Sequence, residues 1–161
     1  MQNTMLDNIL LKPIGIVHSP FTEKSTAPLQ SSAVSDAKGI VEIFPQYAEG
    51  LKDIEGFSHI FLLYFFHLAG EVQLVRLPFL DDVPRGIFAI RHPARPNRLG
   101  LSVVRLCKRE GARLHVSGLD LLDGTPLLDI KPYIPRYDCF SEATEGWLSG
   151  KALESKPPGR E

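Results

Sequence analysis

The sequence has few of the residues that mark disulfide-stabilised, metal-binding or membrane-spanning proteins. Its only two cysteines, Cys107 and Cys139, lie far apart, and neither belongs to a C-x-x-C pair. This spacing argues against a zinc site and against a dithiol redox motif, so both residues are expected to be free thiols. The longest apolar run is IFLLYFF at 60–66, far shorter than the roughly 20 residues that a membrane helix needs. We therefore expect no metal and no membrane span.

A secretion signal and a strong net charge are also lacking. The start, MQNTMLDNILLKP, has no basic segment before its apolar run and no A-x-A-like cleavage site, which predicts a cytoplasmic protein. The net charge is −1 at pH 7, yet half of the 18 Lys and Arg residues fall between Arg76 and Arg113. Only three acidic residues accompany them, which gives this stretch a charge of about +6. If folding gathers these cations, they form a binding surface for a polyanion.

The length of 161 residues suits one domain with a single core. Short apolar or alternating runs between Gly and Pro turns predict strands, at 13–19, 39–44, 59–68, 72–77, 86–91, 99–108, 113–122 and 126–133. Helix is predicted only at 45–56 and at 141–154, the latter with Ser141 as N-cap. Many strands with little helix to cover them must close on themselves. We expect a mainly β, compact single-domain β-barrel over 1–140 with one or two short helices, and a C-terminal helix and frayed tail of the same domain over 141–161.

The stretch RHPARPNRLGLS, at 91–102, carries four basic side chains in a segment that cannot be helical. Pro93 and Pro96 fix their own φ and restrict the residues before them, so the loop is rigid. Planar guanidinium groups match carboxylate and phosphate oxygens two at a time. The loop therefore favours anion or nucleotide recognition over a merely solvated set of charges, which remains the alternative.

A second polar motif, LLDGTPLLDIKPY, places Asp123-Gly124 between two apolar runs. This dipeptide is a strong signal for a β-hairpin turn, and a plain hairpin turn is one interpretation. The other is that the turn exposes the Gly124 and Thr125 amides, the Thr125 hydroxyl and the Asp123 carboxylate to a ligand with amine and hydroxyl groups.

Two histidines bracket the most apolar run, HIFLLYFFHL. His59 and His67 are eight residues apart and would share one face of an unbroken strand. No third ligand stands at a companion spacing, so a metal pair is disfavoured. Capping of both imidazoles by backbone groups at the strand ends is the favoured interpretation.

Five segments together resemble the TsaA-like, or TrmO, family of S-adenosylmethionine-dependent tRNA methyltransferases. They are IGIVHSPF, APLQ, GLKDIEGFSHIFLLYFFH, GIFAIRHPARPNRLGLSVVRL and LDLLDGTPLLDIKPYIPRYD. The ordered pair R-x-P-x-R-P-N-x-x-G-L-S and L-D-G-T-P-x-x-D-I-K-P-Y is the most specific part, and the resemblance covers about residues 11 to 140. It implies a compact β-barrel, a homodimer, and cofactor binding without a glycine-rich dinucleotide loop, which this sequence also lacks.

The resemblance implies S-adenosyl-L-methionine as cofactor and assigns its contacts by matching motifs. These fall on Pro28, Leu29, Gln30, His67, Leu68, Arg91, Leu101, Asp123, Gly124, Thr125 and Pro126. Arg95, Asn97 and Arg98 then either shape the pocket or bind tRNA phosphates, and no residue is assigned as the proton acceptor. The implied reaction is methylation of N6 of threonylcarbamoyladenosine next to the tRNA anticodon.

Departures from the family pattern leave alternatives for the acceptor. The usual P-R-Q is PLQ here, which removes a cation at Leu29, and the usual T-R-S is IRH, which places His92 after the arginine. Bacterial members also resemble one another in a further C-terminal domain, whereas about twenty residues follow IPRYD here. A methyltransferase acting on a small molecule, and a non-catalytic RNA-binding β-barrel, are therefore kept beside the tRNA methyltransferase.

Overall fold

The computed structural model describes residues 9–25, 27 and 36–152, and its centre is a closed barrel of six strands. The barrel strands are β1 (Gly15–His18), β2 (Lys38–Ile43), β3 (His59–Phe65), β6 (Leu99–Glu110), β7 (Arg113–Ser117) and β8 (Thr125–Pro132). Two further strands, β4 (Val75–Arg76) and β5 (Arg85–Gly86), form a separate ribbon. The predicted mainly β barrel is confirmed.

Buried and more exposed residues alternate along the strands, and the buried ones form the barrel core. Every second residue of β3, namely Ile60, Leu62 and Tyr64, is buried, and the residues between them are not. The other five barrel strands show the same period of two over at least their central part, which is the pattern of a sheet with one inward face. The inward side chains are mostly branched aliphatics, and their burial holds the barrel closed.

The strand order decides which loops meet. Around the barrel the strands follow the order β1-β2-β7-β6-β3-β8, β8 pairs again with β1, and every pair is antiparallel. The ends of β1, β3 and β7 therefore lie at the same end of the barrel as the starts of β2, β6 and β8. We call this end the barrel mouth, and the segments 66–98 and 118–124 border it.

The helical content is smaller than predicted. The expected helix at 45–56 forms two 3-10 segments, Pro45–Leu51 and Ile54–Gly56. The helix predicted over 141–154 is wrong for its described part, where only Gly146–Leu148 makes a 3-10 turn. Gly146 and Gly150 take positive φ, at 57° and 76°, a conformation that interrupts a right-handed helix. A short α-helix, α1 (Pro135–Asp138), forms instead just after β8.

The Asp123-Gly124 turn is present, but the predicted hairpin is wrong. Gly124 has φ of 75° and the Thr125 N–H donates to the Leu122 carbonyl at 3.3 Å, as in a β-turn. The strand after the turn, β8, pairs with β1 and β3 and not with β7. The two-residue hairpin is at Gly111-Ala112, where Glu110 of β6 pairs with Arg113 of β7.

The segment 66–98 leaves the barrel between β3 and β6, and its last eight residues, 91–98, are called the arginine-rich loop here. The strands predicted at 72–77 and 86–91 are shorter than expected, because only the two-residue β4 and β5 form there. Residues Ile87–Ala89 form a 3-10 turn. Two residues of the C-terminal segment, Trp147 and Lys151, bind to segment 66–98. Asp81 accepts from Arg85 at 2.6 Å and from Lys151 at 2.8 Å, and Trp147 donates to the Ala89 carbonyl at 2.8 Å.

Gly100 permits a close approach that no other residue would allow, because a Cβ there would lie 2.2 Å from the Tyr64 ring. We expect Gly100→Ala to destabilise the protein by about 1–3 kcal/mol, since an overpacked core must shift side chains or backbone. Denaturant unfolding measures the change. Gly56→Ala is the control, because nothing lies within 4 Å of its added Cβ. Equal stability of the two variants would contradict this account of Gly100.

Candidate functional site

The barrel mouth collects most of the predicted site residues. His67 and Leu68 follow β3, and Arg91 lies in the loop that leads to β6. Leu101 is the third residue of β6, and the turn 123–126 runs into the start of β8. Since β8, β3 and β6 are neighbours in the barrel, these positions lie along one arc of its rim. Pro28, Leu29 and Gln30 lie outside the described residues.

The rim presents both apolar and charged groups. Leu68 and Leu101 are half-exposed, at 51% and 57% of their surface. Leu101 points outward from the barrel, because its neighbours Gly100 and Ser102 are buried, and it lies opposite Leu63 of β3. Arg91 is exposed. A ligand with an apolar part and an ionised part therefore finds matching groups here.

The arginine-rich loop is held by its own backbone and side chains. Arg95 is turned inward, and its guanidinium donates to the carbonyls of Ile90 at 2.8 Å and Ile87 at 3.3 Å. The Ala94 N–H donates to the His92 ring at 3.0 Å. Ala94 itself is buried. The rigidity predicted from the two prolines thus has additional sources, and Arg95 serves the loop.

Arg98 differs from Arg95 in both backbone and side chain. Its φ of 50° lies in the left-handed region, which is unusual for a residue other than glycine. Its carbonyl accepts from the Phe66 N–H at 2.8 Å, which ties the loop to the end of β3. Its half-buried guanidinium makes no hydrogen bond or ion pair to the residues that the structure describes. Asn97 is exposed beside it.

The turn 122–125 uses internally most of the groups predicted to face a ligand. The Gly124 N–H donates to the Val17 carbonyl at 2.9 Å, and the Thr125 hydroxyl donates to the Leu122 carbonyl at 2.7 Å. Of the predicted set only the Asp123 carboxylate, half-exposed at 47%, faces outward. The two amides and the hydroxyl of this turn therefore bond within the protein, and the assignment of Gly124 and Thr125 to a ligand stays a prediction.

The Asp123 carboxylate is anchored to the end of β1. Its Oδ1 accepts from the Ser19 N–H at 2.9 Å, and His18 Nδ1 lies 4.0 Å from the same oxygen. The other ring nitrogen of His18 lies 2.8 Å from Glu42, and the pKa of that carboxyl is lowered by the His18 hydrogen bond and the Arg113 charge. Asp123 thus has a fixed position at the rim.

The sequence did not predict a chain of hydrogen-bonded side chains, Tyr64, Ser102 and Asp120, that lies just inside the mouth. The Tyr64 hydroxyl lies 3.1 Å from Ser102 Oγ, which donates to Asp120 Oδ1 at 2.7 Å. A carboxylate only accepts, so the serine proton goes to Asp120 and Tyr64 donates to the serine. The available signal was the presence of polar residues at inward-facing positions of apolar strands.

The charge of Arg91 acts on Tyr64, the first residue of this hydrogen-bonded chain, by lowering its pKa. Burial raises the pKa of Tyr64 above its ordinary value, the Asp120 carboxylate raises it further, and the Ser102 bond and the Arg91 charge lower it. The Tyr64 hydroxyl therefore keeps its proton. Both the Asp120 carboxylate and the Arg91 guanidinium lie within electrostatic reach of this one hydroxyl.

The histidines have separate surroundings. His59, at the start of β3, lies 2.9 Å from the Ser58 hydroxyl and packs edge-on against Tyr133. His67 lies beyond the strand end at Phe65 and donates its backbone N–H to the Phe65 carbonyl. The described residues contain no group of three metal-ligating side chains. Within the same residues, no helix is long and apolar enough to span a membrane.

Comparison with known proteins gives a consistent result. Residues 16–139 match the model of the tRNA-methyltransferase O N-terminal domain. A probable S-adenosyl-L-methionine-binding protein of Pyrococcus abyssi is 53% identical over 140 residues, which are 87% of this chain and 76% of that protein. The human tRNA (adenine(37)-N6)-methyltransferase is 38% identical over 138 residues, which are 81% of this chain and 31% of the enzyme.

Solved structures show the same likeness. The crystal structure of TrmO from Pseudomonas aeruginosa superimposes with a TM-score of 0.74 at 41% identity. The alignment covers 87% of this chain but only 62% of the crystallised one. A probable S-adenosyl-L-methionine-binding protein of Archaeoglobus fulgidus is likewise matched over 40% of its length. The chain thus spans between about a third and three quarters of the relatives named here.

Proposed function

The chain belongs to the tRNA-methyltransferase O family, and from this premise we propose that it is an S-adenosylmethionine-dependent methyltransferase acting on N6 of an adenosine in tRNA. The observation that carries the proposal is the meeting of the family's motifs at one barrel mouth. Segments 67–68, 91–101 and 123–126 are far apart in sequence, yet the barrel topology brings all three to one rim. The relatives named for this cofactor and for tRNA adenine methylation support the chemistry.

The residues at the mouth fit this cofactor. S-adenosylmethionine supplies a methyl group activated by a sulfonium charge. The exposed guanidinium of Arg91 suits its carboxylate, and the half-exposed side chains of Leu68 and Leu101 suit its apolar surfaces. The carboxylates of Asp120 and Asp123 supply negative charge for its cationic groups. Gln30 and its neighbours, outside the described residues, remain part of the proposed site.

The protein mainly aligns the methyl donor with the acceptor nitrogen and excludes water from the site. Methyl transfer to nitrogen is an in-line displacement, so orientation of donor and acceptor accounts for much of the rate. The N6 proton must also leave. In threonylcarbamoyladenosine the carbamoyl group makes that N–H more acidic, so a strong base is not required. We therefore propose this modified adenosine, next to the anticodon, as the acceptor.

The proposal is tested by cofactor binding and by nucleoside analysis. The purified protein should bind S-adenosylmethionine by calorimetry, and it should add one methyl group to tRNA taken from a strain lacking the gene. Mass spectrometry of the digested nucleosides should find the new mass on threonylcarbamoyladenosine. Cofactor binding with unmethylated tRNA would point to a small-molecule acceptor. Salt-sensitive RNA binding without affinity for the cofactor would indicate a non-catalytic barrel.

We expect Arg98 to bind tRNA and Arg95 to stabilise the fold. Arg98→Ala should weaken tRNA binding and make the logarithmic salt dependence shallower by roughly one unit, because one phosphate contact releases its counterions. Arg95→Ala should lower the unfolding free energy by about 1–2 kcal/mol, since two carbonyls lose their donor. Fluorescence titration across a salt series and denaturant unfolding measure the two effects.

The matched control is Arg136→Ala, an exposed arginine in α1 at the other end of the barrel. It should change neither the salt slope nor the stability. If Arg98→Ala and Arg136→Ala give the same tRNA affinity, then the loop serves the pocket alone and tRNA docks elsewhere.

We also propose a homodimer that pairs through the ribbon of β4 and β5. This segment exposes several large apolar side chains, which a monomer rarely leaves in contact with water. They are Leu74, Val75, Val83 and Phe88 at 63%, 64%, 51% and 79% exposure. The Ile87 N–H donates to the Leu74 carbonyl, so the apolar residues on both sides of the ribbon are neighbours. A second subunit there would stand beside the arginine-rich loop.

Phe88→Glu should convert the dimer to a monomer without unfolding it, because a charge replaces an exposed apolar contact. Light scattering at micromolar concentration gives the mass, and circular dichroism reports the fold. Phe140→Glu is the control, as Phe140 is similarly exposed at 74% but follows α1, at the other end of the barrel. A monomeric unaltered protein would overturn the homodimer, and a dimeric Phe88→Glu variant would move the interface.

A further inference from the structure

We propose that a row of side chains on the outer wall of the barrel binds the phosphate backbone of the tRNA substrate. The row consists of Lys38, Ser117, Arg105, His59 and Tyr133, and we call it the wall row. No assigned cofactor or substrate position falls on these residues. The inference rests on the proposed function, because it names where the proposed tRNA acceptor continues outside the barrel mouth.

Strand pairing places the members of the wall row side by side. Lys38 of β2 is opposite Ser117 of β7, and Ser117 is opposite Arg105 of β6. Arg105 is in turn opposite His59 of β3. Tyr133, just after β8, donates its backbone N–H to the His59 carbonyl at 3.0 Å. Neighbouring strands are about 4.8 Å apart, so the row is about 19 Å long and has no gap.

The side chains of the wall row face away from the barrel core. Arg105 lies between two buried residues, Val104 and Leu106. Because successive side chains of a strand point to opposite faces, Arg105 points outward, as do the residues opposite it. Lys38, Arg105 and His59 are exposed, and the other two members of the row are half-buried. A ligand can therefore reach the row from outside the barrel.

The wall row holds cations that the protein does not neutralise. Three other cations of β6 and β7, namely Lys108, Arg109 and Arg113, are each paired with a glutamate. The guanidinium of Arg105 makes no hydrogen bond or ion pair to the residues that the structure describes, and the same holds for the Lys38 ammonium. Unlike the paired cations, these two are available to an anion.

The wall row contains no carboxylate that would repel a phosphate. Glu42, Glu110 and Asp129, on the neighbouring parts of the wall, are all engaged in ion pairs. Asp36 lies just before β2, but within the described part of the chain it forms no ion pair with Lys38. A row of this length with cations and no acidic group suits an extended polyanion better than a small anion.

One end of the wall row lies at the barrel mouth. Lys38 begins β2 and Ser117 ends β7, and both of these strand ends border the mouth. His59 begins β3, so it lies at the opposite end of the barrel. The row therefore leads from the candidate site down the wall. With the acceptor nucleotide at the mouth, the RNA strand beside it would follow the row, which a small-molecule acceptor would not contact.

Removal of one charge at a time tests the proposal. Arg105→Gln and Lys38→Gln should each weaken the binding of unmethylated tRNA by about three- to tenfold at about 0.1 M salt, and each should make the logarithmic salt dependence shallower by roughly one unit. The double variant should lose roughly two units. Arg105→Lys should keep the unaltered slope, because counterion release depends on the charge. Fluorescence titration across a salt series measures all four variants.

Two controls separate contact with RNA from effects on the rest of the protein. Lys12→Gln removes an exposed charge just before β1, the strand opposite β6 in the barrel, and should leave the salt slope unchanged. Calorimetry with S-adenosylmethionine should give an unaltered affinity for Arg105→Gln, because the wall row lies outside the predicted cofactor positions. In methylation assays Arg105→Gln should raise the KM for tRNA and leave kcat unchanged, as expected for lost uniform binding.

The outcomes distinguish the wall row from the proposed function. Unchanged slopes for Arg105→Gln and Lys38→Gln, with tRNA still methylated, would overturn the wall row and leave the proposed function standing. An equal change of slope from Lys12→Gln would also overturn the row, since overall charge would then govern binding. If the unaltered protein binds tRNA but does not methylate it, the proposed function fails and the salt series still judges the row. A protein that binds no tRNA would overturn both.

Discussion

Closure of the six-stranded barrel is the constraint on which the rest of the structure depends. In a closed antiparallel barrel the direction of each strand is fixed by its neighbours, so every connection is assigned to one end or the other. The segments after β1, β3 and β7 are thereby brought to one mouth. A change in strand order would scatter the arginine-rich loop, the turn at 122–125 and the segment after β3. The candidate site is a consequence of topology before it is a matter of individual contacts.

The inward face of the same strands contributes to the site as well as to stability. Most inward positions carry branched aliphatic side chains, whose burial stabilises the barrel. Near the mouth the pattern changes, because Tyr64, Gly100 and Ser102 replace aliphatic residues on two neighbouring strands. These three residues bury less apolar surface than aliphatic residues would. Two of them, Tyr64 and Ser102, instead form a hydrogen-bonded chain that ends at Asp120. The hydrogen bonds of this chain fix its three side chains relative to one another.

The sequence predicted the strands of the barrel well, because their alternation records directly which side chains face the core. It failed at the turn of Asp123-Gly124, where the local chemistry was right but the partner strand was wrong. Turn residues report a change of direction and not which strands pair across it. The helix predicted at 141–154 failed for a related reason, since Gly146 and Gly150 take left-handed conformations that a propensity pattern does not reveal. The short strands in 66–98 depend on tertiary contacts such as the Asp81 ion pairs.

For the site, motif resemblance supplied positions but not the direction in which each side chain faces. The two arginines Arg95 and Arg98 are alike in sequence context, yet the Arg95 guanidinium is bound to the carbonyls of Ile87 and Ile90 just before the loop, and the Arg98 guanidinium is not. Asp120 was missed because, although it lies in the segment LDLLDGTPLLDIKPYIPRYD, no assigned position falls on it, and its hydrogen bond comes from Ser102, which lies 18 residues away in sequence. Geometry therefore separates residues that shape the mouth from residues that face it. Two acidic groups at the mouth, Asp120 and Asp123, lie in one short connection, 118–124, so one loop carries both the carboxylate bound from the core and the one bound from β1.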